Sequence, residues 1–184
     1  MAGKLQGETV AILAAEGVEE TELMRPWAQL YRAGARPVVV SMARGVVRAQ
    51  QDGRAAHVIA VDADVRTTPA ERYDGLVIPG GAGHADRLRA DAEVVRFIEA
   101  FFRERKPVAA FSEGVAMALE VEQMEDRAAA GGNLIIARRP DSLDAFTQRV
   151  INELLQRRHG KRRRAAMAAL KSWLPQRRGG SSTH

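Results

Sequence analysis

Five short apolar runs, separated by stretches with helical spacing, constrain this chain more than any other feature. They are Thr9–Ala15 (TVAILAA), Pro37–Met42 (PVVVSM), Asp74–Ile78 (DGLVI), Pro107–Phe111 (PVAAF) and Asn133–Ala137 (NLIIA). None alternates polar and apolar residues. Such runs suit strands buried on both faces, as in a parallel sheet sandwiched between helices. Glu19 to Ala33 puts Leu23, Trp27, Leu30 and Tyr31 on one helical face, and Gly34 ends it. Asp91 to Arg105 does the same with Val94, Val95, Ile98 and Phe102. Gly114 to about Met124 and Ser142 to Gln156 complete the helices. Strands alternating with helices imply right-handed crossovers and an α/β fold with a mostly parallel sheet. Val46–Gln50 and His57–Val61 flank Gln51-Asp52-Gly53, a turn signal, and read as a small hairpin or edge pair.

Charge divides the chain in two. Nine of the 28 Lys and Arg residues, and none of the 23 acids, lie in 157–184. That leaves 19 bases against 23 acids, a body near −4 joined to a tail of +9. The expected organisation is therefore a domain over 1–156 and a basic tail over 157–184, partly helical or disordered. Arg157, Arg158, Lys161, Arg162, Arg163 and Arg164 form the densest cluster. Such a segment suits nucleic-acid phosphates or an acidic membrane surface, or is simply a solvated tail. Trp173 is the lone aromatic there, too little for base stacking.

The chain has no cysteine, which excludes disulfides, thiolate metal sites and a cysteine nucleophile. MAGKLQGE lacks the apolar stretch of a signal peptide, and no apolar run is long enough to span a bilayer, so a cytoplasmic location is expected. Four scattered histidines give no reason to expect a metal site.

In parallel sheets, ligands sit at the carboxyl ends of the strands. Three loops fall there: Glu16–Glu22, Pro79–Asp86 and Ser112–Gly114. Ala110-Phe111-Ser112-Glu113-Gly114 has the small residues of a nucleophile elbow, with Ser112 at a helix N-terminus. The simpler reading is an N-capping serine. Gly80 and Gly81 after a strand can turn backbone N–H groups toward a ligand, or form a plain turn. The run G-G-A-G-H-A fits a dinucleotide fingerprint poorly, so no cofactor is expected. Glu16 and Glu20 read as dipole-complementing acids. Glu19 and Glu22 share a helical face, and burial would favour the protonated form of one of them. His84 is the one histidine in a candidate loop, either a general base for Ser112 or a surface residue.

The runs VAILAAEGVEETEL…P, YDGLVIPGGAGHADRLRAD, KPVAAFSEG and GGNLIIARRPDSLDAF resemble, in order and spacing, the ThiJ/PfpI family of the class I glutamine amidotransferase-like superfamily. The resemblance covers Val10 to Leu119 and Gly131 to Leu155. It implies a flavodoxin-like three-layer sandwich and assembly as dimers or larger. Its members include cysteine peptidases, glyoxalase- or deglycase-type enzymes and stress-associated chaperones. In the family the elbow reads A-I-C-H-G. Here Ser112 stands in the cysteine position and Glu113 in that of the histidine. The family's cysteine-bonding glutamate matches Glu22, with Glu19 as neighbour. Gly81 matches an oxyanion donor, and Asp86 falls near an acid contributed across a subunit interface. Only Val121–Ala130 stands where relatives carry an extra strand, helix and strand, so one βαβ region is shortened. The C-terminal domain of large-subunit catalases, in the same superfamily, also lacks the cysteine and has a similar small-residue–Gly-Glu-Gly-like elbow.

A thiol of pKa about 8.5 is readily lowered into the working range, whereas a serine hydroxyl needs an adjacent base. A carboxylate beside Ser112 disfavours a developing oxyanion. The sequence thus predicts a catalytically degenerate member, without thiol-type peptidase, glyoxalase or deglycase activity, acting as a binding or stress-associated module and a homodimer. One alternative is a serine-dependent hydrolase with Ser112 as nucleophile, His84 as base and Gly81 as oxyanion donor. Another is a tether run by the basic tail.

Overall fold

The computed structural model describes residues 3–81, 83–125, 134–137 and 143–173. A six-stranded sheet forms its centre. Strands β1 (Thr9–Leu13), β3 (Arg36–Ser41), β6 (Ala63–Asp64), β7 (Gly75–Ile78), β8 (Val108–Phe111) and β9 (Leu134–Ala137) lie in the order β6-β3-β1-β7-β8-β9. Every pairing in it is parallel. The fold is the flavodoxin-like α/β sandwich that the resemblance implies.

The absence of alternation in the strands is explained by two cores. Val10, Ile12, Val39, Val77 and Ala109 face one layer, with α1 (Glu20–Arg32) and α5 (Leu143–Trp173). Ala11, Leu13, Val40, Leu76, Ile78 and Ala110 face the other, against α2 (His84–Ala90), α3 (Ala92–Arg103) and α4 (Ser112–Glu125). Successive side chains point to opposite faces, so both sets must be apolar. Each fully buried Leu, Ile or Phe contributes roughly 1.5–3 kcal/mol through water exclusion. Phe111, the last residue of β8, stacks obliquely on Phe146 of α5 with centroids 4.2 Å apart. That contact fixes the chain immediately before Ser112.

A second sheet pairs β2 (Val18–Glu19), β4 (Val46–Gln51) and β5 (Arg54–Ala60). Asp52 and Gly53 turn the hairpin with φ of 50° and 75°, the doubly positive pattern of a type I′ turn. The hairpin is tighter than the sequence suggests, because the two strands extend to Gln51 and Arg54.

Two further elements differ from the sequence expectation. The loop after β7 is shorter, because His84 begins a helix rather than sitting in an open loop. The last body helix does not stop at Gln156 but continues unbroken to Trp173. Gly160 costs a helix only about 1 kcal/mol, and Arg, Lys and Ala around it are strong helix formers. Three tail cations also tie this stretch to the body. The Arg157 guanidinium donates to the carbonyls of Glu104 and Arg105, Arg158 to that of Lys4, and Lys161 pairs with Asp74 at 2.8 Å. Arg162, Arg163 and Arg164 remain exposed. Val121–Glu125 continues helix α4, and 126–130, the rest of the shortened region, lie outside the described residues. No described helix is long and apolar enough to cross a membrane.

Candidate functional site

The carboxyl ends of β1, β7 and β8 meet at one cleft of about 280 Å³. Its walls are Glu19, Thr21, Glu22, Gln50, Asp52, Gly53, Gly81, Ser112 and Glu113. Ser112 follows β8 directly and opens α4, so the strand-to-helix reversal falls on this residue. Its φ is 42°, a left-handed conformation that a residue with a side chain adopts at a cost of roughly 1–2 kcal/mol. Helix α4 starts at Ser112 itself, two residues before the sequence suggests.

Glu22 reaches the elbow from the first turn of α1. Pro26, four residues on, has no N–H to offer the Glu22 carbonyl, which loosens the helix at that turn. The Glu22 side chain is 4% exposed. Its two oxygens are fully used: Oε1 accepts from the Ser112 hydroxyl at 2.5 Å, and Oε2 from the Gly80 N–H at 2.7 Å. Burial raises its pKa, the two hydrogen bonds oppose that, and the Glu113 carboxylate adds to the rise.

Glu113 bends back over the glycine loop. Its Oε2 accepts the Gly81 N–H at 2.9 Å. Gly81 has φ of 131°, and a Cβ there would lie 2.2 Å from the Gly17 carbonyl oxygen. A Cβ on Gly80 would lie within 3 Å of Glu113 Oε2, Ser112 Cβ and Glu22 Oε2. Only a glycine pair lets the backbone come this close to both carboxylates.

The site thus brings together Ser112, Glu113, Glu22, Gly81 and Glu19. Glu19 lines the cleft and takes the Thr21 hydroxyl at 3.4 Å, and burial raises its pKa. His84 is elsewhere. It is fully buried, and neither ring nitrogen has a hydrogen-bond partner. No hydrogen bond therefore links it to Ser112. Burial pushes its pKa down to about 4, with the Leu13 carbonyl and the Glu113 carboxylate opposing and the Arg87 charge adding to the fall. Asp86 is exposed on α2, paired with Arg89 at 2.9 Å, and does not line the cleft. Among the described residues, no cluster of His, Cys, Asp and Glu has the arrangement to hold a metal ion.

Two contributions were not legible in the sequence. Gly80, rather than Gly81, supplies the amide that orients Glu22. The hairpin turn, through Gln50, Asp52 and Gly53, forms a wall of the cleft. The Asp-Gly turn signal was plain, but nothing local says where the hairpin folds. Chemically, the cleft holds the hydroxyls of Ser112 and Thr21, four carboxylates and two backbone donors already in use. The chain has no thiol, and among the described residues no imidazole reaches the Ser112 hydroxyl.

The family model for the DJ-1/PfpI family matches residues 8–131. General stress protein 18 of Bacillus subtilis is 30% identical over 125 residues, 68% of this chain and 71% of the relative. A deglycase of Pyrococcus abyssi is 32% identical over 105 residues, 57% of this chain and 60% of the relative, so the match spans less than two thirds of that protein. Oxidized DJ-1 of Toxoplasma gondii superposes with a TM-score of 0.70 at 22% identity, covering 88% of this chain and 98% of its own, a likeness of fold. A two-domain protein of Anabaena variabilis, with DJ-1/ThiJ/PfpI-like and ferritin-like domains, gives a TM-score of 0.68 at 27% identity over 80% of this chain and 48% of its own.

Proposed function

The chain belongs to the DJ-1/PfpI family, and from that premise we propose that it is a member without thiol chemistry, acting as a stress-associated binding module. One observation carries the reading. Glu113, in place of a histidine, holds the Gly81 N–H, while the Ser112 hydroxyl is bound to Glu22. An acyl or carbonyl substrate would find no thiolate, and the amide suited to a developing oxyanion is bonded to a carboxylate. Relatives named as a general stress protein and a deglycase support the family context. The expected working form is a cytoplasmic homodimer.

The test is direct. Purified protein is assayed for removal of early methylglyoxal adducts and for peptidase activity, beside Ser112→Ala. Both proteins should match the buffer blank. Turnover in the wild type that disappears in Ser112→Ala defeats the proposal. A thermal-shift screen of small aldehydes, acyl esters and anions on the same two proteins then searches for what is bound.

The serine-hydrolase alternative has one observation in its favour, the 2.5 Å contact that would make Glu22, not His84, the base. The carboxylate on the Gly81 amide weighs against it. The tether reading keeps Arg162, Arg163 and Arg164, which are exposed, whereas Arg157, Arg158 and Lys161 are engaged with the body. A salt-dependent DNA mobility shift lost when all three exposed arginines become alanine would support it. No shift at low salt removes it.

A further inference from the structure

We propose that the outer part of α5 is a surface arm whose partner is an anionic lipid bilayer, a role separate from the elbow and from the nucleic-acid reading of the same cations. The helix runs unbroken to Trp173, yet its packing ends much earlier. Among the described residues of α5, Leu154 is the last that is fully buried, and every residue from Lys161 to Ala169 is exposed. At the base of this stretch, Arg157, Arg158 and Lys161 are bonded to the body. The next three cations, Arg162, Arg163 and Arg164, have no acidic partner among the described residues. Residues 157–184 carry nine Lys and Arg and no acid, so the arm complements a negatively charged surface along its whole length.

Charge alone would suit any polyanion, and a second observation points to lipid. Arg163, Arg164, Met167 and Ala168 line a shallow depression of about 330 Å³ on the exposed stretch. At 3.6 residues per turn, Met167 lies about half a rotation from Arg158 and about a third from Lys161, so it faces away from the body. Its side chain is 51% exposed. Leu170 and Trp173 follow in the sequence at steps of three. Nucleic-acid phosphates have no use for a methionine between arginines. A bilayer interface uses both: Met167 and the arginine stems enter the acyl boundary while the guanidinium groups stay among the headgroups. No described helix is long and apolar enough to cross a membrane, so the arm lies along the surface. Contact with lipid also supplies the packing that a helix exposed on all sides lacks.

The experiment floats the full-length protein with vesicles of phosphatidylcholine alone and of an equal mixture of phosphatidylcholine and phosphatidylglycerol. At about 0.1 M salt the protein should rise with the anionic vesicles and stay behind with the neutral ones. Raising salt to about 1 M, where the Debye length falls to about 3 Å, should release it. Replacing Arg162, Arg163 and Arg164 together by alanine should weaken partitioning by on the order of 100-fold. Met167→Gln keeps every cation and a good helix former, and should weaken it by about tenfold. Met167→Leu should bind as the wild type does. All four substituted positions are exposed, and circular dichroism with melting temperature checks that each variant keeps the fold. Absence of flotation with anionic vesicles at low salt overturns the proposal, whether the arm then shifts DNA or pairs with a second copy of this chain. Equal flotation with neutral vesicles, or a Met167→Gln variant that floats as well as the wild type, overturns it too. Those outcomes leave the absence of thiol chemistry untouched, and turnover in the peptidase and deglycase assays leaves the flotation result untouched.

Discussion

Ser112 Oγ donates to Glu22 Oε1 at 2.5 Å, joining two residues 90 positions apart in the chain. The bond connects the first turn of α1 to the start of α4 across the carboxyl end of the sheet. It exists because Gly80, with no side chain, lets the β7 loop slip between them and donate to the other Glu22 oxygen at 2.7 Å. The Ser112 hydroxyl is the donor to the ionised glutamate.

Glu22→Gln is expected to stabilise the protein at neutral pH. The glutamine oxygen can accept from Gly80, its NH₂ can donate to a rotated Ser112 hydroxyl, and the buried charge beside Glu113 is gone. The folded-state pKa of Glu22 is raised, so the folded protein holds this proton more tightly than the unfolded chain. Its contribution to stability is therefore best at low pH and is lost as pH rises from the ordinary glutamate range through the folded pKa. The advantage of the variant should appear at pH 7 and vanish at pH 4 or below, measured as the difference in melting temperature. A gain on the order of 1 kcal/mol would read as about 2–4 °C for a chain this size. A loss of stability at pH 7 would contradict this account.

Ser112→Cys would place one thiol in a chain that has no other. Two carboxylates beside it disfavour the thiolate, while the helix end favours it. Removing one of them, in Ser112→Cys combined with Glu113→Gln, should speed alkylation by iodoacetamide at pH 7 by about tenfold, the effect of one pKa unit. Intact mass against time gives both rates without interference. Equal rates would mean that Glu113 does not control charge at the elbow.

His84 predicts an acid sensitivity. Its folded pKa of about 4 lies below the ordinary 6.5, so the unfolded chain binds a proton that the folded protein refuses. Stability from this group is full above pH 6.5 and falls as pH drops toward 4, by about 3 kcal/mol in total. Urea unfolding of His84→Leu should show a flatter stability curve between pH 6.5 and 4 than the wild type. Parallel curves would show that His84 is not the group responsible.

Arg105, the residue after the Glu104 cap of α3, has φ of 51°, and the amides of Arg105 and Lys106 bond back to the carbonyls of Phe102 and Phe101. This is the Schellman arrangement, which glycine adopts without cost. Arg105→Gly is expected to stabilise by about 1 kcal/mol in denaturant unfolding. It keeps the backbone carbonyl that receives Arg157. A destabilised variant would mean that the arginine side chain itself contributes more than its backbone costs.

Much of the fold could be read from the residues themselves. Val10, Ala11, Ile12 and Leu13 are consecutive and all apolar, and only a strand covered on both faces needs that. Leu23 and Leu30 in α1, and Val94 and Ile98 in α3, are buried where helical spacing puts them, whereas Tyr31 is exposed and Phe101 rather than Phe102 is the fully buried aromatic. The end of α5 was not legible, because three arginines and a glycine read as a boundary until Arg157, Arg158 and Lys161 find acceptors on the body. His84 misled for the same kind of reason. A histidine after Gly-Ala-Gly reads as a loop residue, and only packing against the second core shows that its ring is enclosed.

The sequence by itself determined the sheet, the elbow at Ser112 and the absence of any thiol, since these depend on local composition and on residue identity. The tertiary structure decided the partners. Glu22 meets Ser112, Glu113 takes the Gly81 amide and the Asp52 turn closes over the cleft only because β1, β4, β7 and β8 end near one another. Hydrogen bonds and charge interactions act over a few ångströms of space, and distance along the chain carries no trace of them.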